Sequence, residues 1–161
     1  MNIDDISVII DSIDWSEYET AYGNADQDIP HYTNSGDKHN YTPKVSQSLL
    51  DLFSEDKETA MQATHDLWCG LCHQHAFVSS AALPAYDILF YALQSLDDDM
   101  KVELLDIFCG FAVCISKENS QGSWQGQLRS KLKRDKAYFQ TLTGYPNEDI
   151  SGFSANIVEE L

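Results

Sequence analysis

Basic residues are scarce in this sequence. Its 161 residues include 10 Lys and Arg against 26 Asp and Glu, which gives a formal net charge of −16. A protein surface with this excess of negative charge repels phosphate, which argues against direct binding of nucleic acid or anionic lipid. Its electrostatic field attracts cationic proteins. An acidic surface that serves only solubility would explain the same charge. We therefore expect either a basic protein partner or no electrostatic role.

Long apolar runs are also missing. No stretch of about 18 apolar residues could span a bilayer. The N-terminal residues 1–5 carry none of the positive charge of a signal peptide. We accordingly expect a cytoplasmic protein without membrane contact. Its four cysteines should stay reduced in that compartment; they are Cys69, Cys72, Cys109 and Cys114.

Signals for β-structure and for common catalytic motifs are weak or missing. The β-branched residues are scattered, and no Asn-Gly or Asp-Gly turn separates alternating runs. The sequence has no Gly-rich phosphate loop, no Gly-x-Ser-x-Gly elbow and no His-Glu-x-x-His motif. We expect a protein without enzyme activity, with no catalytic, cofactor-binding or metal-binding residues.

Helical periodicity runs through most of the chain. Apolar residues recur every three or four positions, as they do on the buried face of an amphipathic helix. A hydrophobic content of 43% in 161 residues is enough for one domain, residues 1–161, with a buried core. The predicted helices cover residues 4–13, 14–23, 43–53, 54–76, 84–96, 97–115, about 124–142 and about 148–161.

Two segments of the sequence, forty residues apart, are similar. Residues 66–71 read Asp-Leu-Trp-Cys-Gly-Leu, and forty positions later residues 106–111 read Asp-Ile-Phe-Cys-Gly-Phe. A period of about 40 to 47 residues is typical of stacked two-helix units. The predicted fold is therefore all-α, with antiparallel helical hairpins stacked as a short HEAT-like α-solenoid of seven or eight helices. The repeat-like units would be about 43–76 and 84–115.

Equivalent residues of the two segments should have equivalent roles. Trp68 and Phe108 would fill corresponding core pockets. Gly70 and Gly110 would let neighbouring helices approach closely, since glycine in a helix otherwise costs up to about 1 kcal/mol relative to alanine. The two aspartates that open the segments, Asp66 and Asp106, would lie on another face as exposed paired acids.

The cysteines and histidines of residues 69–75 invite a metal interpretation. Residues 69–73 match the haem attachment pattern Cys-x-x-Cys-His, but that chemistry belongs to exported proteins. Zinc could use Cys69, Cys72, His73 and His75, with Cys109 approaching from the neighbouring repeat. On a continuous helix, however, His73 turns aside from Cys69 and Cys72 by about 100° per residue. We interpret the cluster as core packing, and a small zinc- or thiol-dependent protein using Cys69, Cys72 and His73 is the enzyme alternative.

Charge is unevenly distributed along the chain. Residues 1–37 contain nine acids and no Lys or Arg, whereas the predicted helix 124–142 carries half of all basic residues. The usual explanation for such a basic helix is a salt-bridged or solvated face. Residues 31–42 are polar and lack any apolar period, so we predict an inserted loop there. Loops of about a dozen residues in compact domains are often functional.

Several short motifs resemble a known family. They are Asp14-Trp15, residues 21–25 (Ala-Tyr-Gly-Asn-Ala), residues 28–30 (Asp-Ile-Pro), His73-Gln74 and residues 81–84 (Ala-Ala-Leu-Pro). Over residues 14–115 the chain resembles small bacterial HEAT-repeat-like proteins, some of which are immunity proteins of polymorphic and contact-dependent toxin systems. The family usually passes directly from the proline to a helix, whereas this chain inserts residues 31–42.

The resemblance implies a function. A protein of this family would be a compact α-helical solenoid without a cofactor, monomeric before binding, that occludes a cognate basic toxin such as a nuclease or ribonuclease. A HEAT-like adaptor for an endogenous regulatory protein is the alternative among binding proteins. The candidate partner-binding residues combine aromatic anchors with acids that would pair with Lys and Arg of the toxin. They are Trp15, Glu17, Asp26, Asp28, His31, Tyr32, Asp37, Tyr41, Asp97, Asp98 and Asp99.

Overall fold

The structure is a computed structural model that describes residues 3–32, 39–118, 120 and 122–161. The predicted all-α class is confirmed, since eight α-helices dominate these ranges. The solenoid arrangement of the helices stays a prediction. The helices are α1 Ile3–Asp11, α2 Val45–Asp51, α3 Lys57–Leu67, α4 Ala82–Ser95, α5 Asp98–Ile115, α6 Trp124–Arg134, α7 Lys136–Leu142 and α8 Glu148–Glu160. None of the helices in the described part of the chain has the length and apolar content that crossing a membrane requires.

Helix α5 forms the centre of the core. Ten of its 18 residues are buried, so it is apolar around most of its circumference, as expected for a helix enclosed by others. It packs against α3, α4, α6 and α8. Phe108 of α5 lies edge-on to Tyr86 of α4, with 5.3 Å between the ring centroids, and 5.5 Å from Phe139 of α7. These aromatic contacts stabilise the helix packing beyond the area that they bury.

The helix predicted for residues 14–23 is wrong. Residues Trp15–Glu17 form a single 3-10 turn, and the antiparallel strands β1 Glu19–Thr20 and β2 Gly23–Asn24 follow it. Gly23 has φ +143°, a backbone conformation that glycine adopts without steric cost. The Thr20 hydroxyl also donates a 2.9 Å hydrogen bond to the Gly23 carbonyl. Together these features close a tight hairpin where the apolar spacing suggested a helix.

The loop predicted for residues 31–42 needs a similar correction. Its two ends belong to the antiparallel strands β3 Ile29–Tyr32 and β4 His39–Thr42, with Ile29 opposite Thr42 and Tyr32 opposite His39. Residues 33–38 lie outside the described residues. At the base of the hairpin, an Asp28 carboxylate oxygen accepts a 2.9 Å hydrogen bond from the Lys44 backbone N–H.

The long helix predicted for residues 54–76 ends early. Helix α3 stops at Leu67, a π-helical turn covers Trp68–Cys72, and His73–His75 follow in a tight turn. Carbonyls that would continue an α-helix have distant partners instead. The Gly70 carbonyl accepts from the Ala21 N–H at 2.8 Å and from the Ser79 hydroxyl at 2.9 Å. The Cys-x-x-Cys-His segment therefore lies at a helix end and not in mid-helix.

The two related segments consequently differ in structure. Phe108 and Gly110 lie in the middle of α5, whereas Trp68 and Gly70 lie in the π-helical turn. Phe108 is fully buried, but Trp68 is only partly buried, and its buried indole nitrogen has no hydrogen-bond partner in the described part of the chain. The prediction of corresponding core pockets is therefore wrong.

The basic helix predicted for residues 124–142 is divided in two by Asp135, which lies between α6 and α7. Arg134 donates hydrogen bonds of 3.0 and 2.6 Å to the Asp135 carboxylate. Arg134 also lies 2.9 Å from Asp87 of α4, and Lys131 forms a second ion pair with Asp87. The interpretation of this surface as a salt-bridged helix face is thus confirmed for Lys131 and Arg134.

Candidate functional site

The predicted anchor Trp15 belongs to the core. Its side chain is 4% exposed, and its indole N–H donates a 3.0 Å hydrogen bond to the Ile10 carbonyl. A tryptophan with both its ring and its N–H satisfied inside the fold cannot contact a partner without local unfolding. The prediction for Trp15 is therefore wrong.

Four of the other predicted residues in the N-terminal third and the β3–β4 hairpin are exposed. Glu17, Asp26 and Asp28 are exposed, and Asp26 forms an exposed ion pair of 3.3 Å with Lys44. His31 and Tyr32 belong to strand β3, and Asp37 lies outside the described residues. Tyr41 on strand β4 is 60% exposed. Of the side chains of this group that the structure describes, Tyr41 alone lines the groove described below.

The predicted acids Asp97, Asp98 and Asp99 have partners within the chain. Asp97 caps α5 by accepting a hydrogen bond from the Met100 N–H, and its carboxylate lies 2.7 Å from the Lys57 ammonium group. Hydrogen bonding from Lys57 lowers the pKa of Asp97. Asp99 lies 3.4 Å from the same ammonium group, and Asp98 accepts a 2.8 Å hydrogen bond from the Tyr145 hydroxyl. These three carboxylates stabilise the start of α5.

A groove lies between the β3–β4 hairpin and the helices α2 and α3. Its volume is about 680 Å³. Tyr22 and Tyr41 both line it and are 42% and 60% exposed. Among the described residues that line this groove there is no Lys or Arg. We call it the acidic groove, after its four carboxylates Asp51, Asp56, Glu58 and Asp66.

Hydrogen bonds from neutral groups hold three of the carboxylates in the acidic groove. Asp51 accepts from the Gln47 amide at 2.8 Å, and Asp66 accepts from the Gln62 amide at 3.0 Å. Asp56 caps α3, and hydrogen bonds from the Thr59 hydroxyl and backbone N–H lower its pKa. Hydrogen bonds to the charged form favour ionisation. The groove therefore combines a strong negative charge with two accessible aromatic rings.

A thiol also faces the acidic groove. The Cys69 sulfur lies 3.6 Å from Nε2 of His65, one helical turn earlier. Burial raises the pKa of Cys69, the nearby Asp66 raises it further, and a hydrogen bond with Tyr22 only partly opposes these effects. A nucleophilic or metal-binding cysteine requires the thiolate form, which this environment disfavours. Cys69 therefore acts as a neutral hydrogen-bonding group.

The remaining members of the cysteine and histidine cluster point in different directions. The buried Cys72 thiol donates to the Trp68 carbonyl at 3.2 Å, and burial raises its pKa to about 12. His73 packs between Tyr22 and Phe77 instead. Within residues 3–32, 39–118, 120 and 122–161, no group of three or more His, Cys, Asp or Glu side chains is arranged to hold a metal ion. The geometry gives the zinc alternative no support in this part of the chain.

Most residues of the acidic groove were missed by the sequence analysis. Tyr22 and all four groove carboxylates were not among the candidates. A signal was present, because the polar positions 58, 62, 65 and 66 have helical spacing and so share one face of α3. The contribution of the β3–β4 hairpin to the other side of the groove depends on tertiary structure.

Comparisons with protein-family models, with curated proteins and with solved structures gave no match to this chain.

Proposed function

We propose that this protein is an immunity protein that binds and blocks a cognate basic toxin, a nuclease or ribonuclease of a contact-dependent inhibition system. The acidic groove is the observation that supports this proposal. It brings four carboxylates and two accessible tyrosines together, and its described lining residues include no Lys or Arg. A cationic partner is the chemistry that complements such a surface.

The charge of a nuclease explains why an acidic inhibitor would be effective. A nuclease active site is basic because it holds phosphate groups, and carboxylates can occupy the places of those phosphates. Complementary fields raise protein association rates from about 10⁵–10⁶ M⁻¹s⁻¹ to about 10⁸–10⁹ M⁻¹s⁻¹ at low salt. A cell that must neutralise a toxin before damage accumulates benefits from that speed.

The tyrosines would supply the contacts that keep the complex together. Tyrosine is enriched among the few residues that dominate binding energy at protein interfaces. Tyr22 and Tyr41 both line the acidic groove and are both exposed by more than a third. A Lys or Arg side chain of the toxin could lie over either ring while pairing with a groove carboxylate, since cations bind favourably over aromatic faces.

A panel of toxin domains encoded beside the gene tests this function. The protein should bind one of them and restore growth to cells that express it. Replacing two groove carboxylates by neutral amides, in an Asp51→Asn/Glu58→Gln variant, should weaken binding by about tenfold or more. A Glu148→Gln/Glu159→Gln variant is the control, because both residues are exposed on α8 outside the groove.

Two results would contradict the proposal. If no toxin domain of the panel binds or is neutralised, the immunity function fails, and an adaptor for an endogenous regulatory protein becomes the better reading of the same groove. If a toxin binds equally well to the wild type and to the groove variant, the acidic groove is not its binding site.

A further inference from the structure

Four exposed apolar side chains line two grooves on the surface. In the described part of the chain, six large apolar side chains are exposed: Val8, Ile9, Tyr22, Tyr41, Phe77 and Val113. The first two lie on α1. Tyr22 and Tyr41 line the acidic groove, whereas Phe77 and Val113 line a second groove on the other side of His73.

A chain of ring contacts connects the two grooves. The His73 ring lies between the rings of Tyr22 and Phe77. Its centroid is 5.7 Å from that of Tyr22 and 4.9 Å from that of Phe77. We call Tyr22, His73 and Phe77 the aromatic ridge. The second groove, also of about 680 Å³, lies beyond Phe77, between residues 76–78 and the C-terminal end of α5. Acidic groove, aromatic ridge and second groove thus form one continuous surface.

The backbone at the ridge is strained. His73, Gln74 and His75 have φ of +40°, +56° and +63°, and they are the non-glycine residues with positive φ in the described part of the chain. Left-handed backbone costs about 1–2 kcal/mol per non-glycine residue. Strain of this kind clusters at ligand-binding sites, where the surrounding structure fixes it. Here it holds His73 at the surface between Tyr22 and Phe77.

The ridge also contains a buried nitrogen atom without a hydrogen-bond partner among the described residues. This atom is Nδ1 of His73. Most buried polar atoms are paired, so an unpaired one calls for an explanation other than stability. The ridge therefore combines exposed aromatic surface, strained backbone and an unsatisfied polar atom, which stability alone would not favour.

Charge decides which occupant fits this surface. A second copy of the chain would place its own net charge of −16 against the acidic groove, and like charges facing each other oppose association. An anionic membrane would be repelled in the same way. A basic protein can satisfy both parts of the surface if the segment that enters the acidic groove also carries apolar side chains.

We propose that the partner crosses the aromatic ridge. Its Lys- or Arg-bearing segment occupies the acidic groove, and an apolar side chain of the same partner packs against Phe77 and Val113 in the second groove. This inference rests on the proposed function and adds a second contact area to it. The acidic groove governs the rate of association, and the aromatic ridge with the second groove governs the rate of dissociation.

Dissociation kinetics with the toxin domain encoded beside the gene test this division. Phe77→Ser and Val113→Ser remove apolar side chains that are 48% and 41% exposed, and urea denaturation checks that each variant is folded. The matched control is Val8→Ser, since Val8 is an exposed valine on a helix outside the ridge. We expect Phe77→Ser and Val113→Ser each to raise the dissociation rate constant by about tenfold or more, with unchanged association rates. Val8→Ser should leave both rate constants unchanged.

The outcomes separate this inference from the proposed function. If the wild type binds the toxin domain but Phe77→Ser and Val113→Ser both dissociate at the wild-type rate, or no faster than Val8→Ser, the ridge and the second groove are not part of the interface while the function stands. If the wild type binds no toxin domain, the proposed function fails and the ridge inference fails with it. A wild-type homodimer that Phe77→Ser abolishes in sedimentation would also overturn the inference, because a second copy would then cover the ridge.

Discussion

His75 and Asp106 are joined by two close contacts of a single ring nitrogen. Nε2 of His75 lies 2.8 Å from an Asp106 carboxylate oxygen and 2.9 Å from the Asp106 backbone oxygen. Both oxygens are acceptors, so this nitrogen must carry a hydrogen. The contacts attach the strained turn at residues 73–75 to helix α5. Asp106, which the sequence analysis expected to be an exposed paired acid, is instead partly buried and bound to this turn.

Removing the His75 side chain should destabilise the protein. A His75→Ala variant loses both contacts to Asp106 and leaves a partly buried acid without its partner, which costs about 1–3 kcal/mol in the free energy of unfolding. His65→Ala is the control, because His65 is exposed on α3. Urea denaturation of both variants measures the difference. Equal stabilities would show that the His75–Asp106 contacts do not hold the turn.

Gly110 should be sensitive to a single added methyl group. A Cβ at Gly110 would stand 2.8 Å from the Cys72 sulfur and 2.8 Å from the His75 ring, whereas a Cβ at Gly152 of α8 would meet open space. Gly110→Ala should therefore lose about 1–3 kcal/mol through overpacking, and Gly152→Ala should gain about 0.5–1 kcal/mol from improved helix propensity. Thermal unfolding shows whether each variant is less or more stable than the wild type. A Gly110→Ala variant that is more stable would contradict the close packing.

The related glycine Gly70 behaves differently, which bears on the repeat interpretation. A Cβ there would make only ordinary contacts, with the nearest atom, Thr20 Cβ, at 3.7 Å. Gly110 thus confirms the predicted close approach, and Gly70 does not. The two segments therefore have similar sequences but different backbone conformations.

Cysteine reactivity should follow burial. Burial raises the pKa of Cys72 to about 12 and that of Cys109 to about 11. At pH 8 these thiols are almost entirely protonated, and the protonated form does not react. A thiol reagent such as Ellman's reagent should first modify the partly exposed Cys69 and Cys114. The two buried cysteines should react only when the protein unfolds; four equal rates in the native protein would contradict these environments.

Acid should weaken the contact between α4 and α6. Burial opposes ionisation of Asp87, but hydrogen bonds from Lys131 and Arg134 outweigh it, so the pKa of Asp87 lies below its usual value. A folded-state pKa below the unfolded value of about 3.9 stabilises the protein above that pH, and the contribution is lost as the pH falls through the folded-state pKa.

The Asp87→Asn variant tests this linkage. It should be less stable than the wild type at pH 7, by under about 1 kcal/mol because the pair is partly exposed. Its free energy of unfolding should then fall less steeply below about pH 4. Urea titrations at a series of pH values compare the two proteins. Parallel curves would show that Asp87 does not contribute to the acid sensitivity.

The strongly periodic helices could be predicted from the sequence, but the hairpins could not. Helix α5 follows its apolar stripe and spans Asp98–Ile115, close to the predicted 97–115. The β1–β2 hairpin depends on partners far away in the chain, because the Glu19 carbonyl accepts from the Ala81 N–H at 3.0 Å and the Ala21 N–H donates to Gly70 at 2.8 Å. Such hydrogen bonds leave no local pattern in the sequence.

The candidate site, like the fold, could be predicted from the sequence only in part. Periodicity placed Trp15 on an apolar stripe but could not decide whether that stripe faced the core or a partner. Residues 97–99 became candidates only because they are acidic. In the structure, Asp97 caps α5 and pairs with Lys57, and Asp98 accepts a hydrogen bond from Tyr145. The acidic groove depends on bringing the β3–β4 hairpin against α3, and this tertiary contact decides which of the many acids share one surface.

The association rate of the toxin complex at two ionic strengths tests the central claim most directly. If the acidic groove attracts a basic partner, the wild-type rate constant should fall by about tenfold or more from low to high salt. The Asp51→Asn/Glu58→Gln variant should associate more slowly at low salt and with a weaker salt dependence, and the Glu148→Gln/Glu159→Gln control should follow the wild type. A wild-type rate that salt leaves unchanged, or a groove variant that matches the control at both ionic strengths, would contradict the account.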